Sequence, residues 1–202
     1  MLMIAHRINT TKQLLAVPPE YGIEVDLRDH GDRIVLQHDP FIQPGAEDFG
    51  DFLQSYHHRL IILNIKSERI EHRVQKMMLE FGIENYFFLD SSFPMMRLLA
   101  DQGESRQAIR FSEFEPIEYT LAMAGKVAWA WIDCFTRLPI TSMNYGLLKR
   151  NFRLCLVSPE LQGRSVDTIP EFMQQLGPYE IDAVCTKRPD LWLSIESKRL
   201  AA

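Results

Sequence analysis

The chain contains little cysteine and no long hydrophobic run. Its 202 residues include three cysteines, Cys134, Cys155 and Cys185, none of them in a CxxC pair. An odd number of separated cysteines argues against a disulfide framework or a structural zinc site, so we expect buried reduced thiols. No stretch approaches the ~18 apolar residues of a membrane-spanning helix. Because residues 1–4 are too short for the apolar core of a signal peptide, we expect a cytoplasmic protein without a membrane span.

Positive charge is also scarce. Lysine and arginine together number 22 against 27 acidic residues, which gives a formal net charge of -5. This balance argues against a general nucleic-acid-binding protein, which would normally carry a basic face. Hydrophobic residues make up 46% of the chain, as in soluble globular proteins that bury a core. With no linker or internal repeat, the sequence predicts one domain over residues 1–202, and it does not indicate an oligomeric state.

Short apolar segments alternate with helix-like segments along the whole chain. Repeated strand–helix alternation predicts an α/β fold with a parallel sheet, and eight such units predict a compact (β/α)8 TIM barrel. The eight predicted strands span residues 3–8, 22–28, 59–66, 86–90, 106–112, 127–134, 152–158 and 182–187.

Helices and one extra strand complete the prediction. Apolar residues at helical spacing indicate a helix over residues 68–81, with Gly82 as a stop signal. Further helices are predicted to begin at residues 92–94 and at Pro170, where proline suits a first turn. A turn at residues 29–32 is followed by a short strand at 34–36, and residues 40–58 are predicted to be partly loop.

In two of the predicted apolar strands, polar side chains occupy alternate positions, which lie on one face of a β-strand. Glu24 and Asp26 share one face of the second strand, and Asn64 and Lys66 share one face of the third. Two carboxylates about 7 Å apart on one face repel each other. A hard divalent cation with oxygen ligands would remove that repulsion. The alternative is a pair of surface acids that are solvated or paired with arginine.

Two histidines stand beside other polar residues at predicted strand ends. His6 and Arg7 close the first strand, and His38 and Asp39 close the extra strand. Histidines act as general acid and base near neutral pH, and the guanidinium fork of arginine suits phosphate. Each histidine taken alone is more often structural.

The ordered motifs carry a family resemblance. The strings IAHRINT, GIEVDLRDHGDRIVLQHDPF, ILNIKSE and IDAVCTKRPDLW resemble the glycerophosphodiester phosphodiesterase family, which is related in fold to the phosphatidylinositol-cleaving phospholipases C. The resemblance is dense over residues 4–40, thin in the middle of the chain, and present again at 182–192. It implies a TIM barrel and a metal-dependent hydrolase of a small phosphodiester, with Mg²⁺ or Ca²⁺ as the cofactor.

Position by position, the resemblance also implies roles for site residues. His6 and His38 become the acid–base pair of the reaction. Arg7 and Lys66 become cations that face the phosphate. The implied ligands of the divalent cation are Glu24, Asp26 and the residue at position 64.

Position 64 departs from the family pattern, because Asn64 stands where the family has an acid. An amide oxygen can still bind a cation, but the site loses one negative charge. Asp90, Asp133 and Glu160, at predicted strand ends, are candidates to replace that acid. The chain also lacks the insertion that many family members use for substrate binding, so the alcohols of the substrate stay open.

Two other functions stay open on the sequence alone. Loss of the acid at position 64 would suit a non-catalytic or repurposed barrel that binds a phosphorylated ligand. A barrel aldolase or isomerase could instead use Lys66 as a Schiff-base nucleophile. The nearby carboxylates favour the charged ammonium form of Lys66, which argues against that second alternative.

Overall fold

The computed structural model describes residues 1–177 and 179–200. Strands and helices alternate along the chain, as the sequence predicts. The elements are β1 (Leu2–Ala5), α1 (Thr11–Leu14), β2 (Gly22–His30), β3 (Arg33–Leu36), β4 (Glu47–Asp48), α2 (Phe49–Leu53), β5 (Leu60–Ile65), α3 (Glu71–Glu80), β6 (Tyr86–Leu89), α4 (Phe93–Asp101), β7 (Ala108–Phe111), α5 (Ile117–Leu121), β8 (Trp129–Ile132), α6 (Ser142–Asn151), β9 (Arg153–Val157), two 3₁₀ turns (Pro159–Gln162 and Val166–Thr168), α7 (Ile169–Leu176), β10 (Ala183–Thr186) and α8 (Pro189–Leu200).

The chain packs as two compact units. One unit contains β1 together with the chain from Ala108 onward, and the other contains residues 6–107. In the first unit, parallel strands lie in the order β1, β10, β9, β8, β7. In the second unit, β5 lies between β2 and β6 in parallel, and β2 also pairs antiparallel with β3. The expectation of a single domain over residues 1–202 stays a prediction.

The turn and extra strand predicted after the second strand are confirmed. Strands β2 and β3 form a hairpin in which His30 pairs with Arg33. Gly31 has φ +60, a left-handed conformation that glycine adopts without steric cost. The short strand β4 and helix α2 that follow were not predicted from the sequence. Helix α2 begins because the Asp48 carboxylate accepts the backbone N–H of Gly50 at 2.8 Å.

The predicted helix over residues 68–81 is shorter in the structure. Arg69 has φ +65, which no helical residue adopts, so α3 begins only at Glu71. Val74 and Met78 lie one turn apart on its buried face, and Gly82, with φ +65, follows its end. Helices α4 and α7 begin where proline in the first turn predicted them.

The first predicted strand is also too long. Strand β1 ends at Ala5 rather than at residue 8, because the chain turns at Arg7, which has φ +55. All three cysteines are buried, as expected. None of the helices within the described residues is long and apolar enough to cross a membrane.

Candidate active site

Strand β2 carries two carboxylates that are almost completely buried. Glu24 is 1% exposed and Asp26 is 0% exposed. Asp26 lies opposite Asn64 in the parallel register between β2 and β5. Since paired residues of neighbouring strands point to the same face, the three side chains share one face, as the alternation predicts. The apolar residues between them, such as Val25 and Leu63, are buried on the other face.

The segment that follows β1 docks onto β2. The backbone N–H of Arg7 donates to Glu24 Oε2 at 2.8 Å, and that of Ile8 donates to the Glu24 carbonyl at 2.8 Å. The positive φ of Arg7 directs the chain into this position. As a result, His6 Nε2 lies 3.9 Å from Glu24 Oε2.

Asn64 reaches across the strands to Glu24. Its Nδ2 group donates to Glu24 Oε1 at 2.8 Å. Both Glu24 oxygens therefore accept a hydrogen bond. Two buried oxygens on this face, Asp26 Oδ1 and Asn64 Oδ1, have no hydrogen-bond partner. A buried oxygen that accepts no hydrogen bond has lost its hydration, so the two oxygens favour a cationic ligand. For Asp26 Oδ1, the Lys66 ammonium at 3.8 Å supplies part of that positive charge.

The electrostatics of the acid pair favour the same ligand. Burial, and then the negative charge of Asp26, raise the pKa of Glu24 to about 7. The hydrogen bonds from Asn64 and Arg7 oppose this increase. A bound cation would stabilise the ionised form of both carboxylates.

Two basic side chains lie next to Asp26. Lys66 Nζ is 3.8 Å from Asp26 Oδ1 and 3.2 Å from Asp90 Oδ2. Arg7 Nε is 3.9 Å from Asp26 Oδ2, and its side chain is 43% exposed. Both cations are thus close to the acid pair while retaining some access to solvent.

His38 lies between the Asp39 carboxylate and the Arg7 guanidinium. Its Nδ1 atom is 2.7 Å from Asp39 Oδ1, and Arg7 Nη2 donates to its Nε2 atom at 2.5 Å. This pattern fits a neutral imidazole whose proton is on Nδ1. Arg28 fixes the backbone, since its guanidinium donates to the carbonyl of His38 at 2.7 Å and to that of Lys66 at 2.8 Å.

Three residues that support this site were given no role from the sequence. Asn9 binds Asp26 through both ends of its amide, Arg28 connects two loops, and Asp39 orients His38. The HD dipeptide was a signal for Asp39. Asn9 and Arg28 had no comparable signal, because each acts on a residue far away in the sequence or on a backbone carbonyl.

Asp133 and Glu160, which were also proposed as ligands, belong to the other unit. Asp133 contacts Arg110 and accepts from Gln162 Nε2 at 2.9 Å. Glu160 accepts from Thr186 Oγ1 at 2.6 Å and also contacts Ser158. Each carboxylate therefore has local donors, and a role for either in cation binding stays a prediction.

The donor set suits a hard divalent cation better than a softer metal. Among the described residues, no three histidines, cysteines, aspartates or glutamates are close enough together to hold a metal ion. Asparagine is not one of these four residue types. Glu24, Asp26 and the amide oxygen of Asn64 nevertheless form a set of ligands made only of oxygen atoms. Oxygen ligands are those that Mg²⁺ and Ca²⁺ prefer, and the two oxygens without hydrogen-bond partners fit such an ion.

Comparison with solved structures identifies the fold of this chain. No family model and no curated protein matches the sequence. Solved structures match nearly the full chain, and they show an α/β fold of the TIM-barrel type, as predicted. The proteins concerned are glycerophosphodiester phosphodiesterases, so the resemblance seen in the motifs is confirmed at the level of fold.

Three of these structures match the chain with similar sequence identity, TM-score and coverage. A glycerophosphodiester phosphodiesterase from Parabacteroides distasonis is 15% identical, with a TM-score of 0.68 and 98% of each chain covered. A glycerophosphoryl diester phosphodiesterase from the same organism is 13% identical, with a TM-score of 0.73, covering 98% of this chain and 86% of the other. A glycerophosphodiester phosphodiesterase from Agrobacterium tumefaciens is 14% identical, with a TM-score of 0.68 and coverage of 95% and 99%.

Proposed function

We propose that this protein hydrolyses a small phosphodiester with the help of a divalent cation. The observation that carries the proposal is the pair of buried oxygens without hydrogen-bond partners, on Asp26 and Asn64, beside Glu24 and next to basic side chains. The fold likeness to phosphodiesterases supports the same reaction class. Fold alone does not determine function, so the proposal depends on the site.

The cation would be Mg²⁺ or Ca²⁺, held by Glu24, Asp26 and the Asn64 amide oxygen. When bound, it would neutralise negative charge on the phosphoryl oxygens. Arg7 and Lys66 add further positive charge where a phosphate would bind. This stabilisation of charge is expected to be the largest contribution to the rate.

The two histidines move the protons. As a water molecule or a neighbouring substrate hydroxyl attacks phosphorus, one histidine accepts its proton, and the other donates a proton to the departing alkoxide. Because Asp39 holds Nδ1 of His38, His38 exchanges protons through Nε2. Nε2 contacts the Arg7 guanidinium, so substrate binding must draw Arg7 towards the phosphate and open this nitrogen. His6, beside the Glu24 carboxylate, is the second member of the pair.

A second function is favoured by one specific contact. The Asn64 amide donates to Glu24, which partly satisfies this carboxylate without a metal. If the site holds no metal, the protein would bind a phosphorylated ligand through Arg7 and Lys66 and would not cleave it. Calorimetric binding of a phosphomonoester with no turnover of any diester would favour this alternative.

The hydrolysis of bis(p-nitrophenyl) phosphate in Mg²⁺ or Ca²⁺ tests the proposal. Of His6→Ala and His38→Ala, the variant that lacks the general base should lower the rate roughly 10²–10⁴-fold. Because p-nitrophenolate leaves with little need for a proton, the variant that lacks the general acid should lose less activity with this diester than with an alkyl diester. His72→Ala is the matched control, because His72 lies on α3, where its side chain contacts Gln75 of the same helix. Unchanged activity in both of the first two variants, with all three proteins folded, would contradict the proposal.

A further inference from the structure

Lys66 lies between two carboxylates and is not equidistant from them. Its Nζ atom is 3.2 Å from Asp90 Oδ2 and 3.8 Å from Asp26 Oδ1. Of these two contacts, the one with Asp90 is a hydrogen bond. The Lys66 side chain is 18% exposed and that of Asp90 is 20% exposed, so water screens this arrangement only in part.

The position of this ammonium group decides which oxygens a cation can reach. Asp26 Oδ2 accepts from Asn9, and Asp26 Oδ1 has no hydrogen-bond partner. A small movement of Lys66 towards Asp26 would give Oδ1 a charged donor. The ammonium would then compete with a divalent cation both for the oxygen and for the negative charge.

The backbone at Asp90 places its carboxylate beside Lys66. Asp90 directly follows β6 and has φ +61. An L-residue rarely adopts this conformation, although aspartate and asparagine tolerate it better than most. Such a conformation persists only where the surrounding structure maintains it.

We propose that Asp90 is a positioning residue, which holds Lys66 away from Asp26 so that Asp26 Oδ1 stays available to the divalent cation. This inference rests on the proposed function, because it concerns the cation of that same site. It makes Asp90 the partner of a substrate-facing lysine and not a ligand of the metal.

A double-mutant cycle tests the inference through Mg²⁺ and Ca²⁺ binding, measured by calorimetry. Asp90→Asn should weaken binding about tenfold or more, as losses of supporting contacts around a metal ligand do. Asparagine tolerates φ +61 and has the same size, so the fold should survive. Lys66→Met should bind at least as tightly as the wild type, and adding Asp90→Asn to Lys66→Met should change nothing further.

Two results of the cycle would overturn the inference. Unchanged affinity in Asp90→Asn would show that Lys66 is not restrained by Asp90. Equal losses with and without Lys66 would make Asp90 a direct ligand of the cation. Asp101→Asn is the control, since it removes an exposed carboxylate that pairs with Arg97 on α4, and it should leave the affinity unchanged.

A crystal structure of the Asp90→Asn variant tests whether Asp90 holds Lys66 away from Asp26, even if the wild type binds no cation. The inference predicts that Lys66 Nζ moves to hydrogen-bond distance from Asp26 Oδ1. A Lys66 side chain that turns to solvent, or stays where it is, would overturn it. Absence of cation binding by the wild type would count against the proposed function, and the position of Lys66 in the variant would still show whether Asp90 restrains it.

Discussion

Asn9 binds Asp26 at two points. Its Oδ1 atom accepts the backbone N–H of Asp26 at 2.9 Å, and its Nδ2 group donates to Asp26 Oδ2 at 2.8 Å. The two residues are 17 positions apart, so the contact fastens the segment after β1 onto β2. Because Oδ2 accepts from Asn9, Oδ1 is the oxygen of this carboxylate that has no hydrogen-bond partner.

Replacing Asn9 with alanine should affect both stability and cation binding. The backbone N–H of Asp26 and its buried carboxylate would each lose a partner, which should lower the free energy of unfolding by about 1–3 kcal/mol in urea titrations. Cation affinity should fall about tenfold, as for other residues that orient a ligand. Asn144→Ala is the control, since Asn144 also makes two hydrogen bonds through its amide, in the cap of α6. Undiminished cation affinity in Asn9→Ala would show that the contact is only structural.

Glu24 should make the metal-free protein less stable as the pH rises. Its pKa is raised from 4.5 to about 7 in the folded protein, so between these values the folded state binds more protons than the unfolded state. The free energy of unfolding therefore decreases from about pH 4.5 to about pH 7, by on the order of 3 kcal/mol at most. Urea titrations at pH 5 and pH 8 in chelator measure this decrease. Glu24→Gln should remove it, and an equal decrease in that variant would assign the effect to another group.

Restoring an acid at position 64 should strengthen cation binding. Asn64→Asp or Asn64→Glu replaces the donor to Glu24 with a third negative charge, which hard cations favour. The gain for Asn64→Glu should be modest, because the longer side chain can pair with Lys66. Both variants should be less stable than the wild type in chelator, where three carboxylates repel each other. Equal or weaker binding of Mg²⁺ and Ca²⁺ in calorimetry would mean that position 64 does not face the cation.

Asp39 should support catalysis through His38. The hydrogen bond from His38 lowers the pKa of Asp39, so its carboxylate stays ionised near neutral pH. Asp39→Ala frees the Nδ1 atom of His38 and should lower kcat about tenfold or more, with little change in KM. Asp32→Asn, at an exposed position in the β2–β3 turn, is the control. A KM effect without a kcat effect would instead indicate that Asp39 acts in substrate binding.

The strands could be predicted from the sequence because they are short apolar segments, and the acid pair could be predicted because it follows the period of two of a strand. That period alone places Glu24 and Asp26 on one face of a strand. Asn9 lies outside the predicted strands and Asp90 at the end of one, and their partners are distant in sequence. The left-handed turns at Arg7 and Arg69 had no sequence signal, so the first strand and the 68–81 helix were predicted too long.

The orientation of the Asn64 amide could not be predicted either. The residue type is evident from the sequence, but the contact with Glu24 depends on the register of β2 and β5 and on the rotamer in the folded protein. The two ends of this amide support the two proposed functions: the oxygen, which has no hydrogen-bond partner, suits a cation, and the Nδ2 group partly satisfies Glu24 without one.

The central claim is that a divalent cation at Glu24 and Asp26 supports phosphodiester hydrolysis. The most direct test is the initial rate of bis(p-nitrophenyl) phosphate hydrolysis by the wild-type protein, first freed of metal by chelation and then titrated with Mg²⁺ or Ca²⁺. We predict no measurable rate without the cation, followed by a saturable increase that Glu24→Gln and Asp26→Asn abolish. A rate that is the same with and without chelator, or no hydrolysis at any cation concentration, would contradict the claim.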